Sequence, residues 1–282
     1  MCRLIAAVAS GEGVGLLSAA LKALARASAY DPYLAKATGG RASEHGDGWG
    51  LVAVGFRGDV PAVIYHRTLE PMFSSSSARL IEQLSRRLSS YELVFLLAHS
   101  RRSSVSEPYG EEFLHPFLYD VGQYTAWFAH NGGADKRGLA RLFGLKPWLH
   151  VDSELLGSYI VSNALECAGS GRGLEECFLE AYCASIGYVV RGSALNSALL
   201  LLGHEGARLF ASQATVGVEK GTPLEEYYRM VLLRGNGLVA VSSVTVGEEL
   251  SKELGARVEG LEQGLYAVGE GGITFVGSLS PQ

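Results

Sequence analysis

The sequence predicts an α+β fold in which two β-sheets carry helices on their outer faces. Short apolar runs typical of strands fill the amino-terminal half and return after Gly192, whereas helical periodicity dominates the middle. Of the 282 residues, 48% are hydrophobic and 19% are charged, so the chain can bury a substantial core. Because each sheet has more apolar surface than one face can leave in water, we expect helices outside both sheets.

The amino-terminal half alternates predicted strands with predicted helices. Apolar residues at helical spacing predict amphipathic helices over 16–25 and 78–89. Asp152 is expected to open a third helix as its N-cap, and 173–187 forms a fourth. Runs rich in Val, Leu, Ile or aromatic residues predict five strands, at 3–8, 49–55, 61–67, 93–99 and 124–130.

The carboxy-terminal part returns to strands, with Asn236-Gly237 as a hairpin signal. Neither an internal repeat nor a linker is evident in the sequence, so residues 2–282 are predicted to form a single domain. The six strands predicted here are 197–203, 207–212, 226–233, 237–242, 264–268 and 272–276.

Composition excludes several classes of partner. The chain has 24 Lys and Arg against 29 Asp and Glu, and no run of like charges could follow a phosphate backbone, so no nucleic-acid partner is expected. Apolar stretches fall well short of the roughly 18 residues that indicate a membrane span, so no membrane partner is expected. Four cysteines are too sparse for a disulfide framework, which favours a soluble, cytoplasmic protein. They are Cys2, Cys167, Cys177 and Cys183.

Cys2 directly follows Met1, and a small side chain there normally permits removal of the methionine. The mature chain would then begin with a cysteine whose own α-amine, with an ordinary pKa near 7.7–8.0, can take the thiol proton. By position alone, a small strand residue is the more frequent explanation.

Two further segments combine polar groups with glycine or a strand end. Residues 45–50 pack three glycines around Asp47 and Trp49, as a loop that approaches a ligand closely would, or as an ordinary turn before a strand. Arg101 follows a buried strand, where it needs an anion: a substrate carboxylate or an internal acid.

Asn131-Gly132 ends another apolar strand, and its side-chain amide and backbone N–H could form a two-donor hole for an oxyanion. The pair is also a common turn signal. The N-cap role of Asp152 does not exclude a second contact, with the ammonium group of a ligand. The histidines show no short ligand pair, so we predict no metal site and no cofactor.

Taken together, these motifs resemble the class II glutamine amidotransferases, which are amino-terminal-nucleophile hydrolases, and most of all their stand-alone, YafJ-like branch. The resemblance spans about residues 2–154, and the later strand pattern is compatible with it. It implies a four-layer αββα sandwich of two antiparallel sheets. The residues that carry it are, in order, Cys2, His45 to Gly50, His99 to Arg101, His115 to Phe117, His130 to Gly132, and Asp152 to Glu154.

The resemblance also assigns roles. Cys2 would attack the side-chain amide of glutamine and form a γ-glutamyl thioester, with Asn131 and Gly132 as the oxyanion hole. Arg101 would bind the α-carboxylate and Asp152 the α-ammonium group. The remaining substrate contacts are assigned to Ser104, in place of the family's threonine, and to His45, Gly48 and Trp49.

The sequence departs from the family at two places. Many members carry an arginine just before the acid of the glycine-rich loop, whereas this chain has Glu44-His45. Arg102 adds a charge that the family pattern does not explain. The length leaves little room beyond the sandwich, so an ammonia-accepting synthase is expected to be a separate partner.

Three functions are left open. The first is hydrolysis of glutamine or of a γ-glutamyl amide, the second is hydrolysis of another linear amide, and the third is a non-catalytic glutamine-binding or scaffold role. Retention of Met1 would favour the third, because it would block the amine that serves as the base. A homodimer is likewise left open by the sequence.

Overall fold

The computed structural model describes residues 2–103 and 107–279. Its first sheet is antiparallel throughout and has β1 near its centre, between β11 and β4. The strand order across the sheet is β12-β10-β11-β1-β4-β2-β3. The strands are β1 Arg3–Ser10, β2 Trp49–Arg57, β3 Val60–Thr68, β4 Leu93–Ser100, β10 Met230–Gly235, β11 Leu238–Ser243 and β12 Val258–Gly260.

The second sheet is also antiparallel, with the order β14-β13-β8-β7-β6-β5 and with the short strand β9 paired to β7. Its strands are β5 Phe117–Val121, β6 Tyr124–Gly132, β7 Ser193–Gly203, β8 Gly206–Gln213, β9 Thr215–Val216, β13 Gly264–Gly269 and β14 Gly272–Gly277.

Helices cover the outer faces of both sheets. The apolar core over the first sheet includes side chains of α1, α3 and α8, and that over the second sheet includes side chains of α4, α5 and α6. A third apolar cluster fills the space between the sheets, so the fold is a four-layer αββα sandwich, as predicted. The helices are α1 Leu17–Ala29, α2 Pro32–Ala37, α3 Ser75–Leu88, α4 Lys136–Leu142, α5 Asp152–Gly169, α6 Leu174–Ser185, α7 Pro223–Tyr228 and α8 Val244–Leu254.

Side-chain alternation along β1 determines which residues face the space between the sheets. Leu4, Ala6 and Val8 point inward between the two sheets, whereas Ile5 and Ala7 pack against the helices. Because successive side chains of a strand point to opposite faces, Cys2 is placed on the inner side and Arg3 on the outer side.

The predicted strands match the observed ones closely, apart from 226–233, where the prediction is wrong for its first residues. Pro223–Tyr228 is the helix α7, which Thr222 caps by accepting a hydrogen bond from the Glu225 N–H, and the strand β10 starts only at Met230. The aromatic and apolar run concealed these helix signals. The sequence analysis also missed the helices α2, α4 and α8.

Two cysteines form a disulfide that the sequence did not predict. Cys167 in α5 and Cys177 in α6 are bonded to each other, whereas Cys2 and Cys183 are free. The bond links the two helices, although disulfides are uncommon in the reducing cytoplasm that sparse cysteines favour. None of the helices in the described ranges combines the length and the apolar character needed to cross a membrane.

Candidate active site

A polar cluster interrupts the apolar layer between the sheets at the end where β1 begins. The register of β1 and β4 pairs Arg3 with Ser100, and one further step places Cys2 opposite Arg101. In the second sheet, Asn131 on β6 pairs with Asn196 on β7. The strand ends of two sheets therefore bring together residues that are far apart in the sequence.

Cys2 is buried and lies within this cluster. Its backbone N–H donates to Asn131 Oδ1 at 2.9 Å, and its thiol lies 3.8 Å from the carbonyl oxygen of Arg102. Tyr227 donates from its hydroxyl to the Cys2 carbonyl at 3.0 Å. The backbone of Cys2 is thus fixed on both sides, and its thiol faces the Arg101-Arg102 segment.

The thiol of Cys2 has an unusually low pKa for a buried group. Burial alone would raise the pKa, but the positive amino terminus and the neighbouring His99 ring outweigh it and lower the pKa to about 6. A thiolate is the nucleophilic form of cysteine. The surroundings of Cys2 therefore favour the reactive form near neutral pH.

The side chain of Asn131 is oriented by two donors. Its Oδ1 accepts from the Cys2 N–H and, at 3.3 Å, shares the Tyr227 hydroxyl proton with the Cys2 carbonyl, so its Nδ2 points away from both donors. This Nδ2 is buried and has no hydrogen-bond partner within the described residues. At the adjacent Gly132 a side chain would collide with the Ala194 carbonyl, so only glycine fits. An unpartnered buried donor beside a thiol is suited to stabilising a developing oxyanion.

Arg101 is buried, and only part of its guanidinium is satisfied. Its Nη2 donates to the Pro108 carbonyl at 3.1 Å, whereas Nη1 has no partner among residues 2–103 and 107–279. The sequence left open a substrate carboxylate or an internal acid as the partner of Arg101, and no carboxylate within residues 2–103 and 107–279 forms an ion pair with it. The guanidinium can accept an anionic ligand.

Asp152 is the first residue of α5, so the prediction that it is the N-cap is wrong by one position. Val151 occupies the cap, and the Asp152 carboxylate instead accepts from the Ser153 N–H at 2.6 Å and from the Ala134 N–H at 2.9 Å. The second contact joins α5 to the segment that follows β6. Asp152 is thereby placed close to Gly133, which precedes Ala134.

The glycine-rich loop supports the Arg101 segment through its backbone. The Arg101 N–H donates to the Gly48 carbonyl at 2.9 Å, and the Asp47 N–H donates to the Arg101 carbonyl at 3.0 Å. Gly48 has φ +107°, a conformation that favours glycine. Asp47 also accepts from the Ser103 N–H at 2.7 Å. Ser104, assigned to substrate binding, lies outside the described residues.

Two other residues assigned to substrate binding have structural contacts on the helix side of the first sheet. Trp49 is fully buried in the outer core, and its Nε1 donates to Ser77 Oγ at 2.9 Å. His45 is also fully buried, and its Nε2 donates to Asp31 Oδ2 at 2.9 Å. Both side chains therefore lie on the outer side of the first sheet, away from Cys2. For Trp49 the reason is that it begins the strand β2, which turns its indole ring toward the helices.

A buried charge network, missed by the sequence analysis, lies on the outer side of β1. Arg3 Nε donates to Asp31 Oδ2 at 2.5 Å, Arg3 Nη1 donates to the Tyr227 carbonyl at 3.0 Å, and Thr245 donates to Asp31 Oδ1 at 2.8 Å. Burial would raise the pKa of Asp31, but His45 and Arg3 hold it well below its usual range. An arginine in an otherwise apolar strand was the available signal for a buried partner.

Three histidines lie near Cys2 and Arg101. The rings of His99 and His115 are 4.0 Å apart and buried, and their nitrogens have no hydrogen-bond partner in the described part of the chain. His130 is held by Ser153 Oγ and the Ala194 carbonyl. Across the described ranges, no three or more His, Cys, Asp or Glu side chains converge as a metal site would require.

No protein-family model and no curated protein matches the sequence. Among solved structures, the chain is similar to that of the allosteric regulatory enzyme of purine biosynthesis, with a TM-score of 0.56 and 14% identity over 97% of this chain and 49% of that one. It thus spans about half the length of that protein. A predicted glutamine amidotransferase from Pseudomonas aeruginosa PA01 is 13% identical over 86% of this chain and 80% of its own, with a TM-score of 0.37. At this level of identity the first likeness establishes the fold alone.

Proposed function

We propose that the chain is a class II glutamine amidotransferase of the stand-alone, YafJ-like branch and that it hydrolyses the side-chain amide of glutamine through Cys2. The observation that carries this proposal is the grouping of a low-pKa thiol, an unpartnered amide donor and an unpartnered guanidinium nitrogen at one end of the sandwich. The resemblance in sequence and the shared fold support it. Asp152 complements Arg101, because an amino-acid ligand carries charges of both signs.

In the proposed reaction, Met1 is removed and the α-amine of Cys2 becomes the general base. The amine takes the thiol proton, and sulfur attacks the carbonyl carbon of the glutamine side chain. Asn131 Nδ2, together with the Gly132 N–H, stabilises the resulting oxyanion. When the C–N bond breaks, the protonated amine gives its proton to the leaving nitrogen, which departs as ammonia.

The second half of the reaction removes the γ-glutamyl group. Water attacks the thioester, its proton passes to the α-amine, and the C–S bond breaks to release glutamate and the thiol. The hydrogen bond from the Cys2 nitrogen to Asn131 Oδ1 supports this scheme, because it holds the nitrogen beside the donor that binds the oxyanion. The ammonia would be released for an acceptor.

The charged residues favour glutamine over another linear amide. A neutral amide has no use for both Arg101 and Asp152, whereas an α-amino acid would pair with each. Neutralising either residue is therefore expected to raise KM for glutamine more than it lowers kcat.

The test is the intact mass of the protein before and after incubation with a diazo-ketone analogue of glutamine, followed by peptide mapping. We expect a chain without Met1 that gains one adduct on Cys2, and no adduct in Cys2→Ser. Cys183→Ser, which removes the other free thiol, serves as the matched control and should label normally. Retention of Met1, or an adduct at another residue, would refute the proposed mechanism.

A further inference from the structure

Arg101 and Asp152, which would bind the carboxylate and ammonium groups of glutamine, are called the substrate clamps below. One lysine forms hydrogen bonds with the two chain segments next to these clamps. Lys136 is the first residue of α4, and its Nζ donates to Glu107 Oε2 at 2.9 Å and to the His150 carbonyl at 3.3 Å. Glu107 belongs to the segment that follows Arg101, and His150 lies two residues before Asp152. A single ammonium group therefore connects the two segments.

Each clamp also contacts a residue next to Lys136 or Glu107 in the chain. Arg101 donates to the Pro108 carbonyl, which is adjacent to Glu107, so the guanidinium depends on the position of that segment. Asp152 accepts from the Ala134 N–H, two residues before Lys136. Displacement of Lys136 would consequently disturb the supports of both clamps.

The ion pair is enclosed, unlike most others in the described chain. The side chains of Lys136 and Glu107 are only 16% and 12% exposed, so solvent screens their interaction weakly. Burial and the nearby charge of Asp152 raise the pKa of Glu107, whereas Lys136 and Arg101 lower it. Glu107 therefore lies within electrostatic reach of both clamps.

We propose that Lys136 and Glu107 are positioning residues that set the separation between Arg101 and Asp152 and thereby the selectivity of the site for α-amino acids. This proposal rests on the proposed function. An amino acid places its carboxylate and ammonium groups on one carbon, so both clamps must be held at a fixed spacing to bind it. Within residues 2–103 and 107–279, Lys136 and Glu107 form no hydrogen bond to Cys2 or Asn131, and their ion pair would supply that spacing.

The test compares steady-state glutamine hydrolysis by Lys136→Met, Glu107→Gln and the wild type. A misplacement of one clamp is expected to raise KM about tenfold to a hundredfold, while kcat stays within about threefold. Lys136→Arg, which retains the charge and can reach the same acceptors, should recover most of the affinity. Lys252→Met is the matched control, because Lys252 forms an exposed pair with Glu249 at 2.6 Å.

A second readout separates positioning from damage to the fold. The rate at which iodoacetamide, which has no amino-acid group, alkylates Cys2 should be unchanged in Lys136→Met. An unchanged KM in that variant, or a parallel fall of kcat and alkylation, would overturn the positioning role. A wild type that neither hydrolyses glutamine nor reacts with its diazo-ketone analogue would instead refute the proposed function, and this proposal with it.

Discussion

Buried polar groups on the two sides of β1 differ in how fully they are hydrogen-bonded. On the outer side, Arg3, Asp31 and His45 are fully buried, and the Asp31 carboxylate accepts hydrogen bonds from both of its neighbours. On the inner side, Asn131 and Arg101 each keep a buried nitrogen without a partner in the described chain. In the described chain, the comparable atoms on the outer side are Arg3 Nη2, His66 Nε2 and Ser242 Oγ, and the Arg3 guanidinium lies 4.0 Å from the centre of the Tyr227 ring.

This difference distinguishes the outer residues, which support the fold, from the inner residues of the candidate site. Buried polar groups are normally hydrogen-bonded, because an unsatisfied group costs about 1–3 kcal/mol. The outer network follows that rule closely and is explained by stability alone. The inner cluster departs from it at Asn131 Nδ2 and Arg101 Nη1, which the proposed reaction would use, and at the ring nitrogens of His99 and His115. Unmet hydrogen-bonding capacity is therefore concentrated at the candidate site, where the proposed reaction would use it.

The largest expected effect is on stability, from the outer side. Asp31→Asn leaves Arg3 buried without its counter-charge, so the free energy of unfolding should fall by about 3–5 kcal/mol. Chemical denaturation of the purified protein would measure this. Glu249→Gln is the matched control, because Glu249 pairs with Arg26 at 3.0 Å in a more exposed position, and it should cost less than about 1 kcal/mol. Equal losses of stability in the two variants would contradict the stabilising role of the buried Arg3–Asp31 pair.

The next effect is on turnover, from the inner side. Asn131→Ala removes the proposed oxyanion donor, and kcat for glutamine should fall by about 10²–10³-fold. Steady-state hydrolysis would measure it.

The matched control for this variant is Asn196→Ala. Asn196 pairs with Asn131 across the sheet and is equally buried, but its Nδ2 donates to the Tyr228 carbonyl and its Oδ1 accepts from the Ala214 N–H. Its removal should lower stability more than kcat. A larger loss of kcat in Asn196→Ala than in Asn131→Ala would reverse the comparison between satisfied and unsatisfied groups.

Much of the fold was accessible from the sequence because apolar periodicity marks buried faces directly. The strands β1, β2 and β4 were predicted to within about two residues, since each is an apolar run with clear ends. The helix α8 was missed because it begins with Val244-Thr245-Val246, which continues the β-branched pattern of β11. Tertiary packing, which the local pattern does not contain, decides its conformation.

The candidate site was predictable only in part. The order of motifs indicated Cys2, Asn131, Arg101 and Asp152, but no local pattern shows that Asn131 Nδ2 lacks a partner. The outer network was missed because Asp31 is 28 residues from Arg3 in the sequence and Thr245 is 214 residues from Asp31. Trp49 shows the reverse case, in which a residue of a suggestive motif belongs to the core.

The smallest effect concerns the pH dependence of stability on the outer side. Burial and the Arg3 charge lower the pKa of His45 to about 4, although its bond to Asp31 acts in the opposite direction. In the unfolded chain the same imidazole titrates near 6.5, so between these two values the unfolded state binds the additional proton. The contribution of His45 to stability is therefore complete above about pH 6.5 and is lost as the pH falls towards about 4.

The matched variant is His45→Gln, which keeps a donor for Asp31 but cannot titrate. Between pH 7 and pH 5.5 the wild type should lose about 1 kcal/mol of stability more than this variant does. Denaturant unfolding of both proteins across this range measures the difference, in which the contributions of the other histidines cancel. Identical pH profiles would show that His45 binds its proton equally well in the folded and the unfolded chain, and would contradict the lowering of its pKa by burial.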